Sequence, residues 1–134
     1  METHLPPRTL IGHGIDLVDV AAFRAMIGLS EDGQALGRYF TPSELNDSGD
    51  GRERIQKLAG RFATKEAILK ALGVGWGDGL SFVDVEIVVD ALGAPQVVLH
   101  GRAGSLAAER GADKWLVSTA HTATSVVASV IALG

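Results

Sequence analysis

The sequence predicts an α+β fold, with an antiparallel sheet packed on one long helix and several short ones. Three observations predict it. The stretch from Arg52 to Leu72 carries apolar residues at helical spacing and stops at Gly73. Leu80 to Val89 alternates instead, with Val83, Val85, Ile87 and Val89 on one face and Asp84 and Glu86 on the other. A turn over Asp90 to Pro95 then leads to a partner strand at Gln96 to His100, which makes an antiparallel hairpin. Two more strands, Lys114 to Ala120 and Ser125 to Ala132, follow and are joined at a corner.

In chain order, residues 1–8 read as a short arm, because the prolines at 6 and 7 start no regular element. Residues 9–134 then form one domain, long enough at this length to bury a core without staples. Leu10 to Val20 is rich in branched residues and reads as a strand. Gly12 and Gly14 inside it mark the close approach of another backbone or a ligand. Asp16 shares their face, whereas Asp19 at the strand's end is placed to cap a helix. A short helix over Ala21 to Ile27 ends at Gly28, and another is expected around Gln34 to Phe40. Thr41-Pro42-Ser43-Glu44 combines a threonine cap, proline at the first helical position and glutamate three after the cap. The helix it opens is brief, since Asn46 to Gly51 is a turn cluster. Ser105 to Arg110 reads as one more small helix.

Composition narrows the function. There are no cysteines, which excludes disulfides and thiolate metal sites. A net charge of −4 argues against a nucleic-acid binder that works by bulk charge, while leaving room for a local basic patch. No apolar run reaches membrane-spanning length, because Thr124 to Leu133 is short and interrupted by Ser125 and Ser129. The amino terminus has neither the basic start nor the apolar core of a signal peptide, so a soluble cytoplasmic protein is expected. The glycines at 73, 75, 77 and 79 follow a helix rather than a strand, and chain reversal explains them better than phosphate binding.

The long helix holds one anomaly. Ile55, Leu58, Ala59, Phe62 and Leu69 gather into an apolar stripe at 100° per residue, and Glu66 falls within it. A carboxylate there needs a partner. Lys70, one turn on, is spaced to pair with it; alternatively Glu66 belongs to a metal or catalytic site. Arg61 and Lys65 on one side and Lys70 on the other put positive charge around it, a surface suited to phosphate beside a metal ion. His121 lies at a strand-to-strand corner, where an ordinary surface or capping role is the default, and no serine, histidine and aspartate order suggests a hydrolase.

Three segments together carry a more specific signal: Gly14-Ile15-Asp16-Leu17-Val18, Gly60-Arg61-Phe62-Ala63-Thr64-Lys65-Glu66-Ala67 with Lys70, and Val117-Ser118-Thr119-Ala120-His121-Thr122. In this order and spacing the chain resembles the holo-[acyl-carrier-protein] synthase family, the small single-domain branch of the 4'-phosphopantetheinyl transferases, over nearly its whole length. The resemblance implies that fold. It also implies transfer of 4'-phosphopantetheine from coenzyme A to a serine of apo acyl carrier protein or a carrier domain, with release of adenosine 3',5'-bisphosphate. Asp16 and Glu66 match the family's magnesium carboxylates, and Lys70 matches its phosphate lysine. His121 and Thr122 match the corner at the coenzyme A site, which reverses the default for His121. Catalysis would then rest on Asp16, Glu66, Lys70 and His121. Coenzyme A would lie among Arg61, Lys65, Lys70, Gly73, Pro95, His121 and Thr122. A homotrimer with active sites between subunits and a place in fatty acid biosynthesis are further implications.

Two positions depart from the family. Ala94 stands where a Gly-Lys-Pro turn has its lysine, and Ala22 stands where an arginine used toward the acidic carrier is common. Arg24 or Arg38 is placed to substitute. The departures keep open an alternative, a non-catalytic coenzyme A or nucleotide-binding module of the same fold, although such a module would not need both carboxylates.

Overall fold

The computed structural model describes residues 7–28, 34–77 and 79–134. Most of the expected arm, residues 1–6, lies outside the described residues, as do residues 29–33 between the first two expected helices. Strand β1, Leu10–Asp19, runs into helix α1, Val20–Gly28, and the Asp19 carboxylate accepts the Ala22 N–H at 2.8 Å, the expected cap. Helix α2, Gln34–Tyr39, precedes α3, Pro42–Asp47, whose capping box is complete: Thr41 Oγ1 accepts from Glu44 N, and Glu44 Oε1 accepts from Thr41 N. Helix α4, Gly51–Leu72, ends at Gly73 in the left-handed region, with φ 75°, where glycine carries no Cβ penalty.

The hairpin follows, but its first strand is shorter than predicted. Residues Phe82–Asp84 form a 3₁₀ turn, and only Val85–Val89 (β2) pairs with Pro95–Leu99 (β3). The Phe82 carbonyl is turned inward to accept from Lys65 Nζ at 2.9 Å, and the Asp84 carbonyl accepts from His100 N. The bond from His100 continues the register of the ladder, while the turn is closed locally by Asp84 N and Val85 N donating to the Ser81 and Phe82 carbonyls, bonds that alternation does not register. Helix α5 begins earlier than expected, at Gly101, and runs to Arg110. Strands β4, Lys114–His121, and β5, Ser125–Leu133, complete a three-stranded antiparallel sheet in the order β1-β5-β4.

Helix α4 lies on one face of that sheet. Val126, Ala128, Val130 and Ala132 of β5 are buried beneath it with Val18 of β1. The glycines of β1 make the contact close: a Cβ at Gly12 would strike the Ala71 carbonyl, and one at Gly14 the Ala67 carbonyl. The expected close approach is therefore the helix backbone itself. From Leu58 onward α4 is covered almost all round, because α3 and the β2–β3 hairpin pack on its other side. The predicted stripe is thus corrected: Phe62 and Glu66 lie at its half-buried edge, and Ala63, Ala67 and Ile68 join Leu58 and Leu69 in the core.

The opposite face of the sheet is uncovered. Ile15 and Leu17 of β1 are 54% and 71% exposed, and Leu116 of β4 is 47% exposed on the same face. Among the described residues no helix is long and apolar enough to cross a membrane.

Candidate active site

Lys65 was expected beside phosphate, but the fold buries it completely. Its Nζ donates to Glu44 Oε1 at 2.8 Å and to the Phe82 carbonyl at 2.9 Å, and both members of the ion pair are inaccessible to solvent. Glu44 also accepts the Ile87 N–H at 3.1 Å, so α3, α4 and β2 meet on one carboxylate. Desolvation lowers the Lys65 pKa despite the attraction of Glu44. Arg61 is nearly buried as well, donating to the Glu44 carbonyl at 2.5 Å, although it still lines a cleft described below. Lys65 is therefore tied into the frame and presents no ammonium to a ligand. Sequence reasoning missed this because the capping box already satisfied Glu44 locally, so nothing marked it as a long-range partner.

Its neighbour Glu66 has a different fate. One residue further around the helix, it sits half-buried at the edge of α4. Burial raises its pKa, and the nearby Asp16 carboxylate raises it further, while Trp76 and Lys70 oppose them. Lys70 does not close the predicted ion pair with Glu66. Its Nζ reaches across to β1 and donates to Asp16 Oδ1 and to the Ile15 carbonyl, both at 3.0 Å. The Gly12 and Gly14 contacts explain this, since they bring the last turns of α4 onto the strand that carries Asp16. Gly73, directly after, ends the helix through N–H bonds to the Leu69 and Lys70 carbonyls.

On the other flank of α4 opens a cleft of about 870 Å³, a size suited to a nucleotide-sized ligand. Gly60, Arg61, Thr64, Pro95, Thr119 and His121 line it. Lys57 and Gln56 border it from the first turns of α4, and Gln56 donates to the Thr122 carbonyl at 3.1 Å. Thr122 itself shapes the β4–β5 corner: its hydroxyl accepts from Thr124 N and Ser125 N at 3.2 and 3.1 Å. Asp90 lies on the rim. Its Oδ1 accepts the Ala94 and Leu92 N–H groups, both at 2.9 Å, and these bonds hold its pKa below the usual value. Gln56, Lys57, Thr119 and Asp90 were not predicted, because a cleft assembled from α3, α4, both strands of the hairpin, β4 and β5 has no sequence spacing.

The predicted residues thus fall into two clusters. Asp16, Glu66 and Lys70 gather on one flank of α4, while Arg61, Pro95 and His121 face the cleft on the other, about half a turn around the helix. Among the described residues no three His, Asp or Glu side chains are grouped to hold a metal. Two neighbouring carboxylates nevertheless suit magnesium, which is usually held by one or two carboxylates together with substrate phosphates.

Comparison with known proteins identifies the family of the chain. Residues 12–129 match the 4'-phosphopantetheinyl transferase superfamily. A holo-[acyl-carrier-protein] synthase of Geotalea daltonii is 40% identical over 122 residues, covering 91% of this chain and 97% of the relative. That of Edwardsiella ictaluri is 41% identical over 93% of this chain and 98% of its own. Among solved structures, the Helicobacter pylori holo-[acyl-carrier-protein] synthase in complex with coenzyme A superimposes with a TM-score of 0.77 at 31% identity, covering 90% of this chain and 98% of that one. The Plasmodium yoelii holo-ACP-synthase gives 0.81 at 29% identity over 96% and 98%. The chain belongs to the holo-[acyl-carrier-protein] synthase family of the 4'-phosphopantetheinyl transferase superfamily.

Proposed function

We infer that the chain transfers the 4'-phosphopantetheine of coenzyme A to a serine of apo acyl carrier protein and releases adenosine 3',5'-bisphosphate. The serine oxygen forms a new P–O bond at the pantetheine-bearing phosphorus, and the P–O bond to the nucleotide breaks. One observation carries the residue assignment: a carboxylate and lysine pair, Asp16 and Lys70, adjoins a carboxylate whose proton affinity the fold raises, Glu66. Asp16 and Glu66 would hold magnesium. When bound there it would offset the charge on the diphosphate and align it for in-line attack. Lys70 Nζ, half exposed beside Asp16, is placed to donate to a phosphate oxygen. A Glu66 carboxylate oxygen is this chain's candidate acceptor for the serine proton, since a raised pKa suits a general base.

The nucleotide end would occupy the cleft at Arg61, Pro95 and His121, with Thr122 shaping its corner and Gly73 setting the course of the opposite loop. Because the two clusters lie on opposite flanks of α4, one catalytic unit would take its carboxylates from one copy and its cleft from another. The bare apolar face of the β1-β5-β4 sheet supports such an assembly, and a homotrimer is the form we propose. Exposed Arg24 on α1 and Arg38 on α2 would meet the acidic carrier in place of the family arginine at Ala22. We assign residues 9–134 to a single domain that works in the cytoplasm in fatty acid biosynthesis.

Intact-mass analysis of apo acyl carrier protein, incubated with this protein, coenzyme A and magnesium, tests the reading beside a Glu66→Gln control. The carrier should gain one phosphopantetheine with the native chain and none with the control. Coenzyme A binding without transfer to any carrier would instead support the non-catalytic binding module.

A further inference from the structure

Trp76 holds a buried donor that makes no hydrogen bond of ordinary geometry. Its indole Nε1 is inaccessible to water and has no hydrogen-bond partner among the described residues. An N–H in that condition is rare in a native interior, where buried polar groups are nearly always paired. The ring itself is firmly held. It stacks on Phe82 with centroids 3.6 Å apart and planes at 24°, and Phe82 stacks in turn on Phe62 at 5.3 Å and 12°. Tyr39 closes edge-on against Phe82 and Phe62, at 4.9 and 5.7 Å. Phe62 is one helical turn before Glu66 on the same edge of α4. This ladder of rings brings the indole to the edge of α4 that carries Glu66, whose carboxyl its N–H approaches without closing a bond of ordinary geometry.

We propose that Trp76 is a positioning residue: its indole N–H donates to one Glu66 carboxylate oxygen when substrate is bound, leaving the other oxygen turned to the diphosphate. The inference rests on the reading that Glu66 works at that diphosphate. A glutamate has three side-chain torsions, and half-buried at a helix edge it has few neighbours to choose among its rotamers. A donor fixed on a stacked ring makes that choice. Packing alone would not require it, because phenylalanine fills the stack without an N–H.

The test compares Trp76→Phe with the native chain in steady-state phosphopantetheine transfer. The variant keeps a ring on Phe82 and loses only the donor. Its kcat should fall roughly tenfold, the size expected for losing a hydrogen bond to a charged group, with KM for coenzyme A unchanged within about twofold. A second readout needs no variant of Trp76. In ¹⁵N-labelled protein the Trp76 indole proton should move downfield on adding coenzyme A and magnesium, while that of Trp115 stays in place. In Glu66→Gln that movement should be lost. A native kcat in Trp76→Phe overturns the proposal and reduces the indole to packing. An indole resonance that responds to coenzyme A identically in Glu66→Gln also overturns it, because the donor then serves another group. Native activity in Glu66→Gln itself would overturn the role of Glu66, a separate result from either of these.

Discussion

Replacing Lys65 by methionine separates a structural lysine from a ligand lysine. Methionine is unbranched and replaces the buried stem of the lysine without its charge. The change removes the 2.8 Å bond to Glu44 Oε1 and the 2.9 Å bond to the Phe82 carbonyl. The Glu44 carboxylate then stays at 0% exposure with two backbone donors, Thr41 N at 2.9 Å and Ile87 N at 3.1 Å, and no counter-charge. Stranding a buried charge costs about 3–5 kcal/mol. For a domain of this size that loss corresponds to a melting point lower by about 10–20 °C. Urea unfolding at pH 7 and fixed protomer concentration measures it, since oligomerisation makes apparent stability concentration-dependent. The double variant Glu44→Gln with Lys65→Met should recover about 2 kcal/mol or more, because it removes the stranded charge. At a temperature where Lys65→Met is folded, its KM for coenzyme A should stay native. A loss below about 1 kcal/mol, or a large rise in KM with native stability, would show that Lys65 serves a ligand and that its burial has been misread.

Three further outcomes follow from the same geometry. Glu66 has its pKa raised above the unfolded value of 4.5, so the folded chain binds the extra proton and its stability falls as pH rises from there through the folded pKa. Glu66→Gln should therefore abolish transfer yet melt slightly higher than the native chain at pH 7 without metal, by under about 1 kcal/mol given the partial exposure of the group; a lower melting point refutes the sign. Gly14→Ala should cost roughly 3 kcal/mol or more in chemical denaturation, because its Cβ lands on the Ala67 carbonyl and the helix backbone must move; native stability would deny the close approach. Finally, inactive Glu66→Gln and His121→Ala chains, unfolded together and reassembled in equal amounts, should regain about one quarter of native activity, since each site then has that chance of drawing both intact halves. No recovery in reassembled trimers would mean that each chain holds a whole site.

What the sequence disclosed depended on whether the signal was local. The Thr41 box, the Gly73 stop and the Asp19 cap involve residues within four positions of each other, and all three are found as expected. Gly12 and Gly14 announced a close backbone, and only the fold could say that the backbone was α4. The first strand of the hairpin was drawn too long because alternation continues through Phe82 and Asp84, where a 3₁₀ turn closed on the Ser81 and Phe82 carbonyls, with Lys65 also bonded to the latter, decides the backbone instead. Lys70 looked like a partner for Glu66 at four-residue spacing, whereas the strand laid against it offers Asp16 and a carbonyl at 3.0 Å. His121 and Pro95 share a cleft across 26 positions, a proximity that periodicity cannot express.

The adjacent pair Lys65 and Glu66 shows why a helix packed on two sides suits this chemistry. A step of 100° sends the lysine into the layer beneath α3 and the hairpin, where Glu44 meets it, and sends the glutamate to the open edge beside Asp16. Each residue makes the other's environment possible. The buried pair bonds α3, α4 and β2 together, so α4 cannot shift against α3 or the hairpin without disturbing a fully desolvated ion pair. The edge can then hold two neighbouring carboxylates that repel each other in the free protein. Burial first and that repulsion after it raise the proton affinity of Glu66, and the positive charge of Lys70 opposes them. Lysine at 66 with glutamate at 65 would reverse both environments, stranding a carboxylate beside Glu44 and putting a second cation beside Lys70 where the half-buried edge now holds a carboxylate. The order of these two residues is therefore set by the phase of the helix rather than by the net charge they carry, which is the same either way.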